Sequence, residues 1–268
     1  MKTNKFLYLL VAAALLFTGC NKDDDDPTQE EYTGDESPGD IPGFGENGQD
    51  LRGKTFILPD GITFDGYVMG YEEGADYDFA TTGKNKLDIL NARLNTENQG
   101  IETRASVKAD ITVGSGGLVT VLIKLKNSKS SKVDVEFPAG LIFESASGDY
   151  QNGILLKKCK VTVPASSSGY FVVLHLYCGN LSRHASDGSA RYNAPIITDS
   201  ELILYLCGLV KNKKINIEEG SGLLEQITYA ITYYTQVLKI QTIVWKVTDN
   251  GEMPNEEDLK YLRDLPNS

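Results

Sequence analysis

Between Ala105 and Cys178 the chain alternates apolar and polar residues in short runs, each broken by Gly, Ser, Asn or Pro. A repeat of two places successive side chains on opposite faces of an extended strand, so this stretch has little choice but to form a sheet. The runs are Ala105–Val113, Leu118–Lys126, Lys132–Phe137 and Leu141–Glu144, followed by two arms within Gln151–Asn180. In the first arm Cys159, Val161 and Val163 share one face and Lys158, Lys160 and Thr162 the other. In the second, Val172, Leu174, Leu176 and Cys178 oppose Phe171, Val173, His175 and Tyr177. Pro164 to Gly169 carries turn residues between them, which predicts a β-hairpin. Pairing Val163 with Tyr170 sets Cys159 opposite Leu174 and Leu155 opposite Cys178. At about 3.3 Å per residue the two cysteines are then too far apart to bridge. In Leu118–Lys126, Val119, Val121, Ile123 and Leu125 alternate with Thr120, Leu122, Lys124 and Lys126, so one sheet face is expected to be wet.

After Asn180 the period changes. Leu181 to Asn193 is polar, and Thr198-Asp199-Ser200-Glu201 has the form of a capping box opening a helix. Leu202, Ile203, Leu206, Leu209 and Val210 give its buried stripe, with Lys211, Lys213 and Lys214 at its negative end. Leu223, Leu224, Ile227, Ala230, Ile231, Tyr234, Val237, Leu238 and Gln241 continue at helical intervals, although the β-branched residues also suit a strand. Asn255 caps a last helix over Glu256–Leu265. Residues 51–104 are less legible. Short strands are expected at Thr55–Leu58 and Ile62–Met69, and Leu87, Leu90 and Leu94 have helical spacing. The expected class is mainly β with a helical C-terminal portion (α+β). It comprises an immunoglobulin-like antiparallel β-sandwich over 51–180, then two to three helices over 181–268.

The N-terminal fifty residues belong to neither part. Lys2 and Lys5 precede an apolar run from Phe6 to Phe17, shorter than the roughly 18 residues a membrane span requires. The run ends at Thr18-Gly19-Cys20, which resembles the cleavage site of a bacterial lipoprotein signal, with Phe17 standing where an aliphatic residue is usual. The resemblance implies a signal peptide over 1–19 and a mature chain anchored by lipid on Cys20, where several acyl chains give lasting attachment. Lys22, Asp23 and Asp24 follow at once and resemble the export signal of Bacteroidota surface lipoproteins. That likeness implies the outer face of the outer membrane. From Asn21 to Asp50 there are eleven acidic residues and one basic residue, a composition that predicts a disordered acidic tether over 20–50. The remaining body is nearly charge-balanced, with no basic stripe for nucleic acid.

Four cysteines are present, and with Cys20 lipidated an odd number remain: Cys159, Cys178 and Cys207. One reading joins Cys178 to Cys207 as a disulfide. Another starts from two stretches, Leu176-Tyr177-Cys178-Gly179-Asn180 and Gln241-Thr242-Ile243-Val244-Trp245-Lys246-Val247-Thr248-Asp249. Together they resemble the thioester domains of Gram-positive surface adhesins, over roughly residues 175–265. The resemblance implies Cys178 as sulfur donor and Gln241 as acyl donor, with Trp245, Thr248 and Asp249 in the flanking motif. Gly179 departs from it, because a bulky residue is usual there, and the Cys–Gln separation is short. A Cys–Gln thioester is an acyl group poised for an amine, since a thiol leaves more readily than an amide nitrogen. The plain alternative makes Cys178 a small core residue, Gln241 a helix-lining amide and Trp245 core filling.

Other groupings are Cys178, His184 and Asp187 as nucleophile, base and orienting acid, and zinc held by His175 or His184 with cysteines. The run Tyr71–Phe79 suits a solvated loop better than a calcium loop. No phosphate loop, serine nucleophile elbow or well-set carboxylate pair occurs, so binding is expected rather than turnover, with no cofactor or metal. The expected function is a surface binding or adhesion module, its partner a host or neighbouring-cell protein or glycan. The alternative is a ligand- or glycan-capture lipoprotein accompanying an outer-membrane nutrient transporter, using Tyr67, Tyr71 and Tyr77.

Overall fold

A computed structural model of the chain describes residues 31–72, 109–220 and 223–268, with side chains in the last range from Tyr233 onward. Gly34–Ser268 forms one compact unit. In chain order its strands begin β1 (Gly53–Thr55), β2 (Ile62–Phe64), β3 (Val68–Gly70), β4 (Ile111–Gly114), β5 (Val119–Asn127) and β6 (Val133–Phe137). They continue β7 (Leu141–Phe143), β8 (Gly153–Leu155), β9 (Cys159–Val163), β10 (Tyr170–Cys178), β11 (Arg191–Tyr192) and β12 (Ile196–Thr198). Helices α1 (Glu201–Val210), α2 (Leu223–Thr248) and α3 (Glu256–Asp264) follow. The expected class is therefore present: mainly antiparallel β, with the helices toward the C-terminus. Leu87, Leu90 and Leu94, the first residues of the Ala105 run, and everything assigned to the signal peptide and its lipid lie outside the described residues.

The organising strand is β10. Over Tyr170–Leu176 it runs antiparallel to β5, from Tyr170↔Leu125 to Leu176↔Val119. Its other edge takes β4 in parallel (Val172↔Ile111 to His175↔Gly114), then β8 antiparallel (Tyr177↔Ile154, Cys178↔Gly153). One strand thereby joins two groups of neighbours into a single ten-stranded network. It is buried on both faces over much of its length, which explains its unbroken Val-Val-Leu centre. The wet face expected of β5 is confined to one end. Lys124 and Lys126 flank Asp65 at 2.5 and 2.6 Å, while Leu122 is buried with Met69 and Val173.

The hairpin expectation is overturned. Alternation along β9 is as expected, with Cys159, Val161 and Val163 inward, but β9 pairs with β6 in a separate two-stranded sheet (Val133↔Val163 to Phe137↔Cys159). Both edges of β10 are already occupied, so nothing is left for β9 to pair with. The side-chain amide of Asn127 instead pins the Pro164 crossing, donating to the carbonyls of Ser131 and Pro164 at 2.9 Å each. Cys178 consequently faces Gly153 rather than Leu155. The strand read at Ile62–Met69 is two strands, β2 and β3, and the one read at Thr55–Leu58 ends at Thr55.

α1 starts two residues later than the capping box implied. Thr198 is held in β12 by pairing with Gly53, so Ser200 caps, its hydroxyl accepting from Ile203 N at 3.3 Å. Cys207 takes the place of Leu209 in the buried stripe. The ambiguous apolar run is helix α2, whose described inner face is Tyr233, Val237, Ile240, Gln241, Val244 and Thr248. Tyr234 and Leu238, expected inside, are exposed. Asn255 caps α3 as expected, in a reciprocal box with Asp258.

The acidic stretch needs the largest revision. The tether reading ran to Asp50, yet the packed body begins at Gly34. Ile41 and Phe44 are 1% and 0% exposed, and Glu36 accepts hydrogen bonds from the Ser200 hydroxyl and Leu202 N. Counting charges concealed two apolar anchors set among Gly, Pro and Asp. Replacing Phe44 by Ala should therefore cost about 3–5 kcal/mol in urea unfolding, as for a core aromatic; a disordered tether residue would cost nothing measurable.

Candidate functional site

β5 stops at Val119, opposite Leu176, so the ladder ends two residues short of Cys178. A buried strand end with unpaired peptide groups would be costly. Here α2 supplies the missing partner through one side chain. Gln241 Oε1 accepts from Cys178 N at 2.8 Å, and Gln241 Nε2 donates to Cys178 O at 2.8 Å. The carboxamide thus acts as a fragment of strand, and both residues are closed to solvent at 0% and 1% exposure.

One turn further along α2, Trp245 donates its indole N–H to Cys178 Sγ at 3.3 Å. The backbone beyond the strand folds back on the same sulfur. Asn180 N donates to Sγ at 3.3 Å, and Asn180 O lies 3.4 Å from it. At the end of α2, Asp249 Oδ1 accepts from Leu181 N at 2.7 Å, and its Oδ2 is 2.6 Å from the Thr248 hydroxyl. The five residues singled out from the two stretches are therefore joined by hydrogen bonds around one strand end.

Sequence reasoning missed the residues that brace this end. Asn180 Nδ2 donates to Gly43 O and Gly45 O at 3.2 and 3.1 Å, and its Oδ1 accepts from Asn152 N at 3.0 Å. Asn152 Nδ2 in turn reaches Gly43 O at 2.8 Å. Gly179 is required here. A Cβ there would lie 2.2 Å from a ring carbon of Phe44. Phe44, from the 34–50 segment, fills that space. Asn180, two residues after Cys178, was the available signal, but nothing local tied it to Asn152 or to Gly43.

Burial dominates the electrostatics. It pushes the Cys178 thiol up to about 12, against the opposing pull of the Trp245 and Asn180 N–H groups. Burial likewise raises the Asp249 carboxyl, despite its bonds to Thr248 and Leu181 N. Cys159, Cys178 and Cys207 are all buried and none is in a disulfide, so the Cys178–Cys207 bridge is not formed. The triad grouping is not assembled either. His184 rests edge-on against Tyr150, Asp187 is engaged by Ser189 and Tyr150, and the sulfur's partners are Trp245 and Asn180. His175 is half-buried with Nδ1 3.3 Å from Gly116 O, and burial lowers its pKa. Among the described residues no three His, Cys, Asp or Glu side chains converge as metal ligands. Tyr67 is exposed, whereas Tyr77 lies outside the described residues. Comparison with family models, characterised proteins and solved structures gives no match.

Two outcomes follow. Gln241→Leu should lower stability by about 2–4 kcal/mol in urea, because it strands both peptide groups of Cys178 in a dry site. Asp249 gives a pH signature. Its folded pKa exceeds the unfolded one, so the native state keeps a proton the unfolded state has lost. Its contribution to stability must therefore fall as pH rises from the ordinary carboxylate range through the raised value. The stability difference between Asp249→Asn and wild type should grow in the variant's favour across that window and level off above it.

Proposed function

We propose that this chain is a lipid-anchored surface module that captures amine-bearing partners covalently through a Cys178–Gln241 thioester. The observation that carries the reading is the double hydrogen bond that holds an acyl donor on the very residue bearing the sulfur. Attack of Cys178 Sγ on Gln241 Cδ would form the S–C bond and break the C–N bond, with ammonia leaving together with the thiol proton. Cys178 N–H, already bonded to Oε1, is aimed at the oxygen on which negative charge would develop. The product suits its surroundings. A thioester is neutral, so a site that disfavours thiolate and excludes water preserves it. A lysine amine of a partner would then attack Cδ, forming an amide and returning the proton and sulfur as the Cys178 thiol.

The anchoring half of the proposal rests on Cys20 with Lys22, Asp23 and Asp24, and it sets the setting as the outer membrane surface of a Bacteroidota-type cell. A partner there is a host or neighbouring-cell surface protein, or an amine-bearing glycan.

Intact mass spectrometry of the purified mature chain tests the bond directly. The expected mass is short by one ammonia, and methylamine adds its own mass to the shortened species. Cys178→Ala and Gln241→Ala should each show the mass calculated for their sequence and ignore methylamine. A wild-type chain of full mass would refute covalent capture. The Gln241 pair would then be structural, and retardation in glycan-containing gels would become the measurement supporting nutrient capture.

A further inference from the structure

A centre closed to solvent needs a way in, and one segment touches both of its halves. Residues Gly34–Asn47 run between the end of α2 and the turn that follows β10. On the helix side Gly39 N donates to Val247 O at 2.7 Å. Gly45 presses so closely on Thr248 that a Cβ would lie 2.3 Å from its carbonyl oxygen. Gly45 has φ +54, a conformation glycine adopts without strain. On the strand side Gly45 N donates to Gly179 O at 2.9 Å, Asn152 and Asn180 bond the carbonyl of Gly43, and Phe44 fills the space over Gly179. Asn180 is also the residue whose N–H holds the Cys178 sulfur. The chain of contact therefore runs from Phe44 through Gly179 and Asn180 to Sγ.

The far end of the segment is fastened differently. Glu36 is bonded at the start of α1 by the Ser200 hydroxyl and Leu202 N, and it pairs with Arg52 at 3.0 Å. Between these points Ile41 is buried at 1% exposure, and Asn47 closes the segment's turn on Asp40 at 2.8 Å. It resembles a strap held at Glu36 by polar bonds, at Ile41 and Phe44 by burial, and along its length by the backbone bonds of Gly39, Gly43 and Gly45.

We infer that Gly34–Asn47 is a closing strap over the Cys178–Gln241 centre, and that solution reagents reach the sulfur when Phe44 leaves its seat on Gly179. This regulates the site of the proposed thioester and rests on that reading for its biological meaning.

The experiment uses the full chain carrying Gln241→Glu, which keeps the side chain's shape and an acceptor for Cys178 N but has no ammonia to release, so the result stands apart from the fate of the bond itself. Alkylation by iodoacetamide is followed at each cysteine by peptide mapping. Cys159 and Cys207 are buried like Cys178 and report any general loosening; because α1 carries Cys207 and Glu36 bonds its start, Cys159 is the reference for Glu36→Ala. Adding Phe44→Ala should speed labelling of Cys178 about a hundredfold relative to those two. Should that variant fail to fold, Glu36→Ala, which loosens only the polar stitch, should speed it about tenfold. Cys178 labelling that is unchanged by these substitutions overturns the strap. So does a parallel rise at all three cysteines, which would mean global unfolding.

Discussion

The double hydrogen bond between the Gln241 carboxamide and the peptide groups of Cys178 is the joint on which the helical and sheet parts of the molecule depend. A sheet strand that outruns its neighbour must find donors and acceptors elsewhere, and a long helix has none to offer along its side except from side chains. Gln is among the few residues able to give and take one bond at once with a planar group. That single choice sets the rotation of α2 about its axis, because Gln241 inward forces Val237, Ile240, Val244 and Thr248 inward as well. It also leaves Tyr234 and Leu238 outside. Once this rotation is set, Trp245 one turn later reaches the sulfur.

Around that joint the polar groups are braced by backbone rather than by charge. Asn152 and Asn180 are both buried, and both spend their amides on carbonyls of the Gly43–Gly45 stretch. Buried amides of this sort must be satisfied in full, since a half-made network in a dry site costs more than an apolar one. Of the glycines they bond, Gly45 is also the one whose missing side chain lets the segment lie against Thr248, while Gly43 leaves room for Leu51. Chemistry and packing are thus served by the same few positions, and a substitution at one is felt at the others.

How much of this was legible in the amino-acid sequence depends on the range of the interaction. Strand and helix identity follow from neighbouring residues, so β5, β6, β7, β9, β10 and α3 were readable within a residue or two at most of their ends. Partner choice is not local: Cys159, Val161 and Val163 alternate identically whether they meet β10 or β6. The cap of α1 shows the same limit. Thr198 and Ser200 are both capping residues, and the first is committed to the sheet by its pairing with Gly53 and its bond to Gly140 O. In 34–50 the dense carboxylates outweighed Ile41 and Phe44, although two apolar residues among glycines and prolines are enough to anchor a short segment. At the candidate site, the Cys178–Gln241 pair was expected from a resemblance. The supporting Asn152, Asn180 and Phe44 were not, since each acts across more than a hundred residues or through a neighbour's backbone.

Trp245 is the sole tryptophan of the chain, and its indole nitrogen touches the Cys178 sulfur. The protein therefore contains a native optical probe seated at the point of interest. Indole emission responds to the polarity and to the sulfur chemistry of its immediate contacts, so acylation, alkylation or hydration of Cys178 would each colour the light this one ring returns. No dye, label or added chromophore is needed to watch the sulfur.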